Sequence, residues 1–272
     1  MATINRDGVN IYYEDNGSGP AVLLSHGYGS TSHMWAAQVE ALKSRYRVIT
    51  WDMRGHGQTD SPEDPAQYSE QATVDDMAAI LSHLGIEQAV IGGLSLGGYM
   101  SLAFNLAHPE MVRALMLFDT GPGYRNPAGR EGWNETARKR AERFEERGLD
   151  ALGRGAEVQV ARHRSAQGLA HAARGMLAQF DARVIESLQG IAVPTLVLVG
   201  DQDQPFLAGT DYMANKIPNA TKAVIENAGH ASNLDQPAAF NAAVVAFLAS
   251  PLASATNGAA IRADGGLLRS IL

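Results

Sequence analysis

Over the first 120 residues, short apolar runs alternate with segments of helical spacing. Val9–Glu14 reads as an early strand, and Asn16-Gly17-Ser18-Gly19-Pro20 as a turn cluster. Ala21-Val22-Leu23-Leu24-Ser25 is almost continuously apolar, as expected of a strand covered on both faces of a parallel sheet. A helical stretch around His33–Lys43, a strand at Tyr46–Trp51 and a polar, Gly- and Pro-containing loop from Asp52 to Tyr68 follow. Thr73 is placed to cap a helix with the apolar face Val74, Met77, Leu81 and Leu84, with Asp75 and Asp76 in its first turn and Gly85 as its stop. Ala89–Ile91 reads as the next strand, Leu96–Ala107 as a helix and Val112–Phe118 as another strand. Such a β-α-β-α succession implies a mostly parallel sheet flanked by helices on both faces.

The alternation then breaks. From Gly121 to Gly190 no strand pattern is convincing. Trp133, Ala137, Ala141 and Phe144 fall near helical spacing, while Arg138, Lys139, Arg140, Glu142, Arg143, Glu145 and Glu146 alternate in sign and are expected to face water. Strand logic resumes at Thr195–Gly200 and Lys222–Glu226, before a helix at Pro237–Leu248. The expected organisation is a core of residues 1–120 and 191–250, a helical insertion at 121–190 and a tail at 251–272. Leu267, Leu268, Ile271 and Leu272 give that tail apolar positions for docking on the body or on a partner chain, which is compatible with a homo-oligomer.

Composition narrows the function classes. A chain of 272 residues is one large α/β domain or two small ones. Its 45% hydrophobic and 19% charged residues rule out wholesale disorder. A net charge of −7 argues against a nucleic-acid partner, which needs a basic face. The lack of cysteine excludes disulfides, thiolate metal sites and a Cys nucleophile. No apolar run reaches bilayer length and the N-terminus has no signal-peptide core, so the expectation is a soluble cytoplasmic protein without a membrane partner.

Gly93-Leu94-Ser95-Leu96-Gly97 matches G-x-S-x-G. With 16 serines and 28 glycines in the chain, chance supplies about 0.2 such matches, so the pattern alone decides little. Its setting decides more: it follows a predicted strand and opens a predicted helix, as a nucleophile elbow does. A serine hydroxyl needs a base, and the base needs an orienting group. Of eight histidines, His33, His83, His108, His163 and His171 lie on or beside predicted helices and suit surface or capping roles. His56 sits in Arg54-Gly55-His56-Gly57, where a structural hydrogen bond is expected, and His26 directly follows a strand near the presumed site. His230 follows Gly229 just after the last strand, at the carboxyl edge where open α/β sheets bind ligands, and is the best base. Asp201, Asp203 and Asp119 all lie at that edge, and each satisfies the order Ser…Asp…His. The backbone N–H groups of Leu96 and Tyr28 are the expected oxyanion donors. Gly27-Tyr28-Gly29-Ser30-Thr31-Ser32 with Asp52 nearly satisfies a dinucleotide fingerprint, but Ser32 stands where the third glycine belongs. No P-loop and no metal-ligand spacing is present, so neither cofactor nor metal is expected.

The chain resembles the α/β-hydrolase superfamily, in the branch of small carboxylesterases, cofactor-free haloperoxidases and enol-lactone hydrolases. The matching pieces are Ser25-His26-Gly27, Asp52-Met53-Arg54-Gly55-His56-Gly57, Gly93-Leu94-Ser95-Leu96-Gly97-Gly98, Gly200-Asp201-Gln202-Asp203 and Gly229-His230, in family order. The resemblance implies an α/β-hydrolase fold with a helical cap at Gly121–Gly190, and Asp203 as the acid. It departs from the epoxide hydrolases and haloalkane dehalogenases of the superfamily, whose nucleophile is Asp, and its charged cap departs from lipases. The expected activity is hydrolysis of small soluble carboxylic esters through an acyl-enzyme. Ser95, His230 and Asp203 are the expected triad, and His26, Trp133, Phe144, Met176 and Phe180 the expected pocket. Lactone or C–C bond hydrolysis on the same triad is the alternative, and a receptor reusing the fold is a third reading.

Overall fold

The computed structural model describes residues 2–250, so the tail at 251–272 lies outside the described residues. The chain opens with a hairpin that the apolar pattern did not reveal. Strands β1 (Ala2–Arg6) and β2 (Val9–Asn16) pair antiparallel across Asp7 and Gly8, whose φ values are +53° and +86°. Two left-handed residues make the two-residue turn that suits strand twist, and Asp-Gly is its sequence signal. Strands β3 (Ala21–Ser25), β4 (Arg47–Trp51), β5 (Ala89–Leu94), β6 (Val112–Phe118), β7 (Thr195–Gly200) and β8 (Ala220–Ile225) are mutually parallel and complete a sheet of order β1-β2-β4-β3-β5-β6-β7-β8.

Every residue of β3, β5 and β7 is buried. Successive side chains go to opposite faces. Leu23, Ile49, Ile91, Leu115 and Val197 enter one core, while Val22, Leu24, Val90, Met116 and Leu198 enter the other. Leu42 of α1 (Ala36–Leu42) joins the second core. The first is covered by α2 (Glu70–His83) and α3 (Leu96–Ala107) through Met77, Ile80, Met100 and Phe104. The helix expected at His33–Lys43 opens instead as a 3₁₀ turn over Ser32–Trp35.

Helix α2 starts one turn earlier than its apolar face suggests. Ser69, not Thr73, is the N-cap, its Oγ accepting from the Ala72 N–H at 3.0 Å, while the Thr73 hydroxyl donates back to the Ser69 carbonyl. Asp75 and Asp76 therefore lie beyond the first turn, and Asp76 is not a dipole partner. It is fully buried and takes a two-pronged bond from Arg54 (Nε–Oδ2 2.7 Å, Nη2–Oδ1 2.9 Å), with Arg6 at 3.3 Å. The arginine of the Asp52–Gly57 motif thus ties its loop to α2.

Between β6 and β7 the chain holds helices α4 (Pro127–Arg147), α5 (Ala156–Gln159), α6 (Ala166–Ala172) and α7 (Arg183–Ser187), with a π-helical turn over Ala173–Leu177 and no strand. This segment seats tightly on the loop after β4. A Cβ on Gly55 would lie 2.5 Å from the Gly168 carbonyl oxygen, and one on Gly175 would lie 1.8 Å from that of Tyr68. On the solvated face of α4, Arg138 pairs with Glu131 and Glu135, and Arg174 of the π-helical turn pairs with Glu145. Arg140 is exposed, as expected, with its guanidinium 5.8 Å over the Tyr28 ring. After β7 come α8 (Gln204–Lys216), not anticipated from the sequence, then α9 (Ser232–Asp235) and α10 (Pro237–Ala249), which covers the second core. Among the described residues no helix is long and apolar enough to cross a membrane.

Removing Asp76 strands a buried guanidinium. Asp76→Ala is expected to cost about 3–5 kcal/mol in urea unfolding, against under about 1 kcal/mol for Asp75→Ala at the partly exposed pair with Arg6. Equal losses at the two positions would contradict the buried-pair assignment.

Candidate active site

Ser95 stands at the junction of β5 and α3 with φ +55° and ψ −115°. A non-glycine residue in that region costs about 1–3 kcal/mol and persists only where its surroundings hold it. The surroundings here are its N–H donating to the Phe118 carbonyl (2.9 Å) and its own carbonyl accepting from the Thr120 hydroxyl (2.6 Å) and the Tyr99 N–H (3.0 Å). The glycines are steric requirements. A Cβ on Gly93 would lie 2.4 Å from the Gly97 carbonyl carbon, and one on Gly97 would lie 2.2 Å from the Ser25 carbonyl oxygen. The strand–turn–helix setting read from the sequence is present.

Three carboxylates compete at the carboxyl edge, and their hydrogen bonds separate them. Asp203, the residue before α8, is buried and its Oδ2 lies 2.8 Å from His230 Nδ1. A carboxylate only accepts, so Nδ1 carries the proton and the neutral ring keeps Nε2 as a base. Asp119 is spent elsewhere: Oδ1 accepts from the Gly200 N–H (2.8 Å) and Oδ2 from the Ser232 hydroxyl. Burial pushes its carboxyl up to about 7 against the pull of those two donors. Asp201 accepts from the Ala228 N–H at 3.2 Å, binding its own turn to the loop that carries His230. Burial disfavours the His230 cation, but the Asp203 hydrogen bond and charge outweigh it, so its pKa lies above the usual imidazole value. Phe206, on the first turn of α8, stacks on the imidazole at 4.9 Å and 23°. Among the described residues Ser95 Oγ makes no hydrogen bond; in unliganded sites the nucleophile–base contact is often long.

Ser95 opens on a cavity of about 230 Å³. Its walls include Tyr99, Gly121 to Tyr124, Trp133, Gln179 and Phe206, so both the sheet edge and the β6–β7 segment contribute. Trp133 is fixed there by its indole N–H donating to the Leu177 carbonyl at 2.8 Å. The other expected pocket residues do not line it. Phe180 points out and is 69% exposed, and Met176 is buried in the main core. Phe144 packs with Ala141 and Leu169 and lines a second cavity of about 240 Å³ with Tyr28, Arg140 and Arg143. His26 is fully buried behind the β3 loop. Sequence reasoning missed Tyr99, although it lies four residues after Ser95 on the same helix face. It also missed Phe206, because the sequence pattern after β7 did not reveal α8.

The loop after β3, Gly27–Ser30, is backed by imidazoles. His26 Nε2 accepts from the Met53 N–H (3.0 Å), so its Nδ1–H donates to the Gly27 carbonyl (2.7 Å). His56 Nε2 accepts from the Gly29 N–H (3.1 Å), so its Nδ1–H donates to the Arg54 carbonyl. The rings lie in a row, His26 to His56 tilted at 4.9 Å and His56 to His163 edge-to-face at 5.6 Å, which moves His163 from the expected surface role into this cluster. Burial holds His26 down to about 4 and His56 well below the usual imidazole range, so both are neutral at pH 7. Asp52, the would-be ribose ligand of the dinucleotide fingerprint, instead accepts from the Ser32 and Gln58 N–H groups at 2.7 and 2.8 Å. The Leu96 N–H, at the N-terminus of α3, and the Tyr28 N–H have no protein acceptor among the described residues.

Comparison with known proteins agrees with this fold. The alpha/beta hydrolase fold family matches residues 20–167. The chain is 33% identical over 259 residues to 3-oxoadipate enol-lactonase 1 of Acinetobacter baylyi, covering 87% of this chain and 92% of that one. A thermophilic esterase from Thermogutta terrifontis superposes with a TM-score of 0.78 at 30% identity, covering 91% of this chain and 96% of the other. The enol-lactonase from Burkholderia xenovorans superposes with a TM-score of 0.75 at 26% identity, over 91% of this chain and all of the other. With its eight-stranded, mostly parallel sheet and its serine at the strand–helix junction, the chain belongs to the α/β-hydrolase superfamily.

Proposed function

We propose that the protein is a serine hydrolase of small carboxylic esters that works through an acyl-enzyme. The observation that carries this reading is the 2.8 Å contact between His230 and Asp203 at the sheet edge where the strained Ser95 opens on a cavity. Ser95 Oγ attacks the ester carbonyl while His230 Nε2 takes its proton. Asp203 holds the tautomer that leaves Nε2 bare and stabilises the imidazolium that forms. The tetrahedral oxyanion accepts from the Tyr28 and Leu96 N–H groups. His230 then gives its proton to the leaving alcohol, and in the second half it activates water to release the acid and restore Ser95.

A second reading, lactone hydrolysis, is supported by the named activity of the Acinetobacter relative. A lactone is an internal ester. The same steps apply, with the leaving alcohol tethered to the acyl group until water releases the hydroxy acid.

Ser95→Ala is expected to abolish labelling by a fluorophosphonate probe while leaving the melting temperature near wild type; equal labelling would end the serine assignment. Asp203→Asn is expected to lower kcat by roughly 10⁴. Asp119→Asn should stay within about tenfold, or roughly 1.4 kcal/mol of barrier, because it touches Gly200 and Ser232 rather than His230. The reverse order would move the acid to the end of β6.

The pH profile has a defined sign. Neutral His230 is the active form and its pKa is raised, so kcat/KM falls as pH drops through a midpoint above 6.5 and is flat above it. Asp203→Asn should shift the midpoint downward, whereas an unmoved midpoint would show that another group titrates. Trp133→Ala opens the cavity, and the preference for longer over shorter acyl chains in an ester series should rise by about tenfold. An unchanged profile would remove Trp133 from the acyl site.

A further inference from the structure

The Tyr28 N–H acts on an oxyanion only if the peptide planes around it stay fixed, since displacement of about 1 Å costs on the order of a hundredfold in rate. Gly29, with φ +77°, makes this loop intrinsically permissive. Three imidazoles remove that freedom, one per peptide. The peptide bearing the Tyr28 N–H has its carbonyl, that of Gly27, bonded by His26 Nδ1–H at 2.7 Å. The next peptide has its Gly29 N–H bonded to His56 Nε2 at 3.1 Å. The third has its Gly29 carbonyl bonded by His163 Nε2 at 2.9 Å. The tautomer follows from the other nitrogen: His163 Nδ1 accepts from the Gly57 N–H at 3.2 Å, so Nε2 carries the proton.

His26 and His56 belong to the loops of the sheet, but His163 comes from the segment between β6 and β7, in the loop joining α5 to α6. It does not bridge alone. The Tyr28 hydroxyl donates to the Leu169 carbonyl at 2.8 Å, and the Ser30 hydroxyl to the Glu157 carbonyl at 2.9 Å. Next to His163, Arg164 Nε donates to the Gly57 carbonyl at 3.1 Å, and its guanidinium also reaches the carbonyls of Gln58 and Thr59.

We propose that His163 is a positioning residue for the oxyanion hole. Through it the helical insertion fixes the Gly27–Ser30 loop and so sets the rate of the chemical step as well as the shape of the pocket. The proposal rests on the ester-hydrolase reading for its catalytic half only.

The test uses the full chain with His163→Leu, which loses both bonds, and His163→Gln, which keeps a donor for the Gly29 carbonyl. Two readouts are taken: amide hydrogen exchange across Gly27–Ser30, and ester kinetics together with the affinity of a trifluoromethyl ketone. In His163→Leu, exchange at Gly29 should accelerate and kcat fall by about ten- to a hundredfold. KM should stay within about threefold, the ketone should weaken in parallel with kcat, and the melting temperature should hardly move. His163→Gln should recover most of both losses. Unchanged exchange, or faster exchange with unchanged kcat, overturns the proposal, as does a loss carried by KM alone. A wild-type protein that turns over no ester or lactone, yet shows the exchange response, refutes the ester reading and supports the anchoring.

Discussion

The approach of α3 to the end of β3 is the constraint from which the rest of the site follows. Neither Gly93 nor Gly97 has room for a side-chain carbon: the Ser25 carbonyl group lies where one on Gly97 would go, and the Gly97 and Ser25 carbonyls crowd one on Gly93. That contact brings the first turn of α3, with the Leu96 N–H, beside the loop that leaves β3, with the Tyr28 N–H. It also fixes Ser95 in a backbone conformation it would not adopt alone. A bulkier residue at either glycine would push helix and strand apart and separate the two amides proposed to share one oxyanion.

Electrostatics at the opposite rim has a similar economy. Two buried carboxylates, Asp119 and Asp203, both act on one imidazole, and only one of them can accept its Nδ1 proton in a hydrogen bond. The conflict is resolved by assigning different donors to each. Asp203 faces the ring, whereas Asp119 is held by the Gly200 amide and the Ser232 hydroxyl, with a carboxyl shifted toward neutrality. Asp119 thereby stitches the ends of β6 and β7 to α9 without competing for the Nδ1 proton.

The sheet and the serine at its strand–helix junction were legible in the sequence because both are encoded locally. Buried parallel strands must be apolar throughout, as β3, β5 and β7 are, and a sharp strand-to-helix turn must carry small residues around Ser95. His230 could be picked from eight histidines because it alone joins a glycine turn to the carboxyl edge after the last strand. The carboxylate partner of His230 was harder, since Asp119, Asp201 and Asp203 share that edge and only three-dimensional hydrogen bonding distinguishes them. The cavity wall was least legible. Trp133, Phe144, Met176 and Phe180 look alike as large apolar residues, yet one lines the cavity, one fills a satellite cluster, one enters the main core and one faces water. Which face of an inserted helix meets the site depends on how the insertion seats, and that is decided by contacts such as Gly168 on Gly55.

The seating of the insertion also bears on how such a protein diverges. The stretch from Glu157 to Leu169 contributes hydrogen bonds to Tyr28, Gly29, Ser30 and the Gly57–Thr59 carbonyls, whereas Trp133, which faces the cavity, stands on α4 well upstream. The two duties of the insertion are therefore carried by separable lengths of chain. Exchange between paralogues of the turn of α4 that carries Trp133 would alter what is accommodated while leaving the loop's hydrogen bonds in place, and a recombination boundary drawn through residues 157–169 would sever them. Modular inheritance of specificity in this architecture has a natural seam, and it lies inside the insertion rather than at its ends.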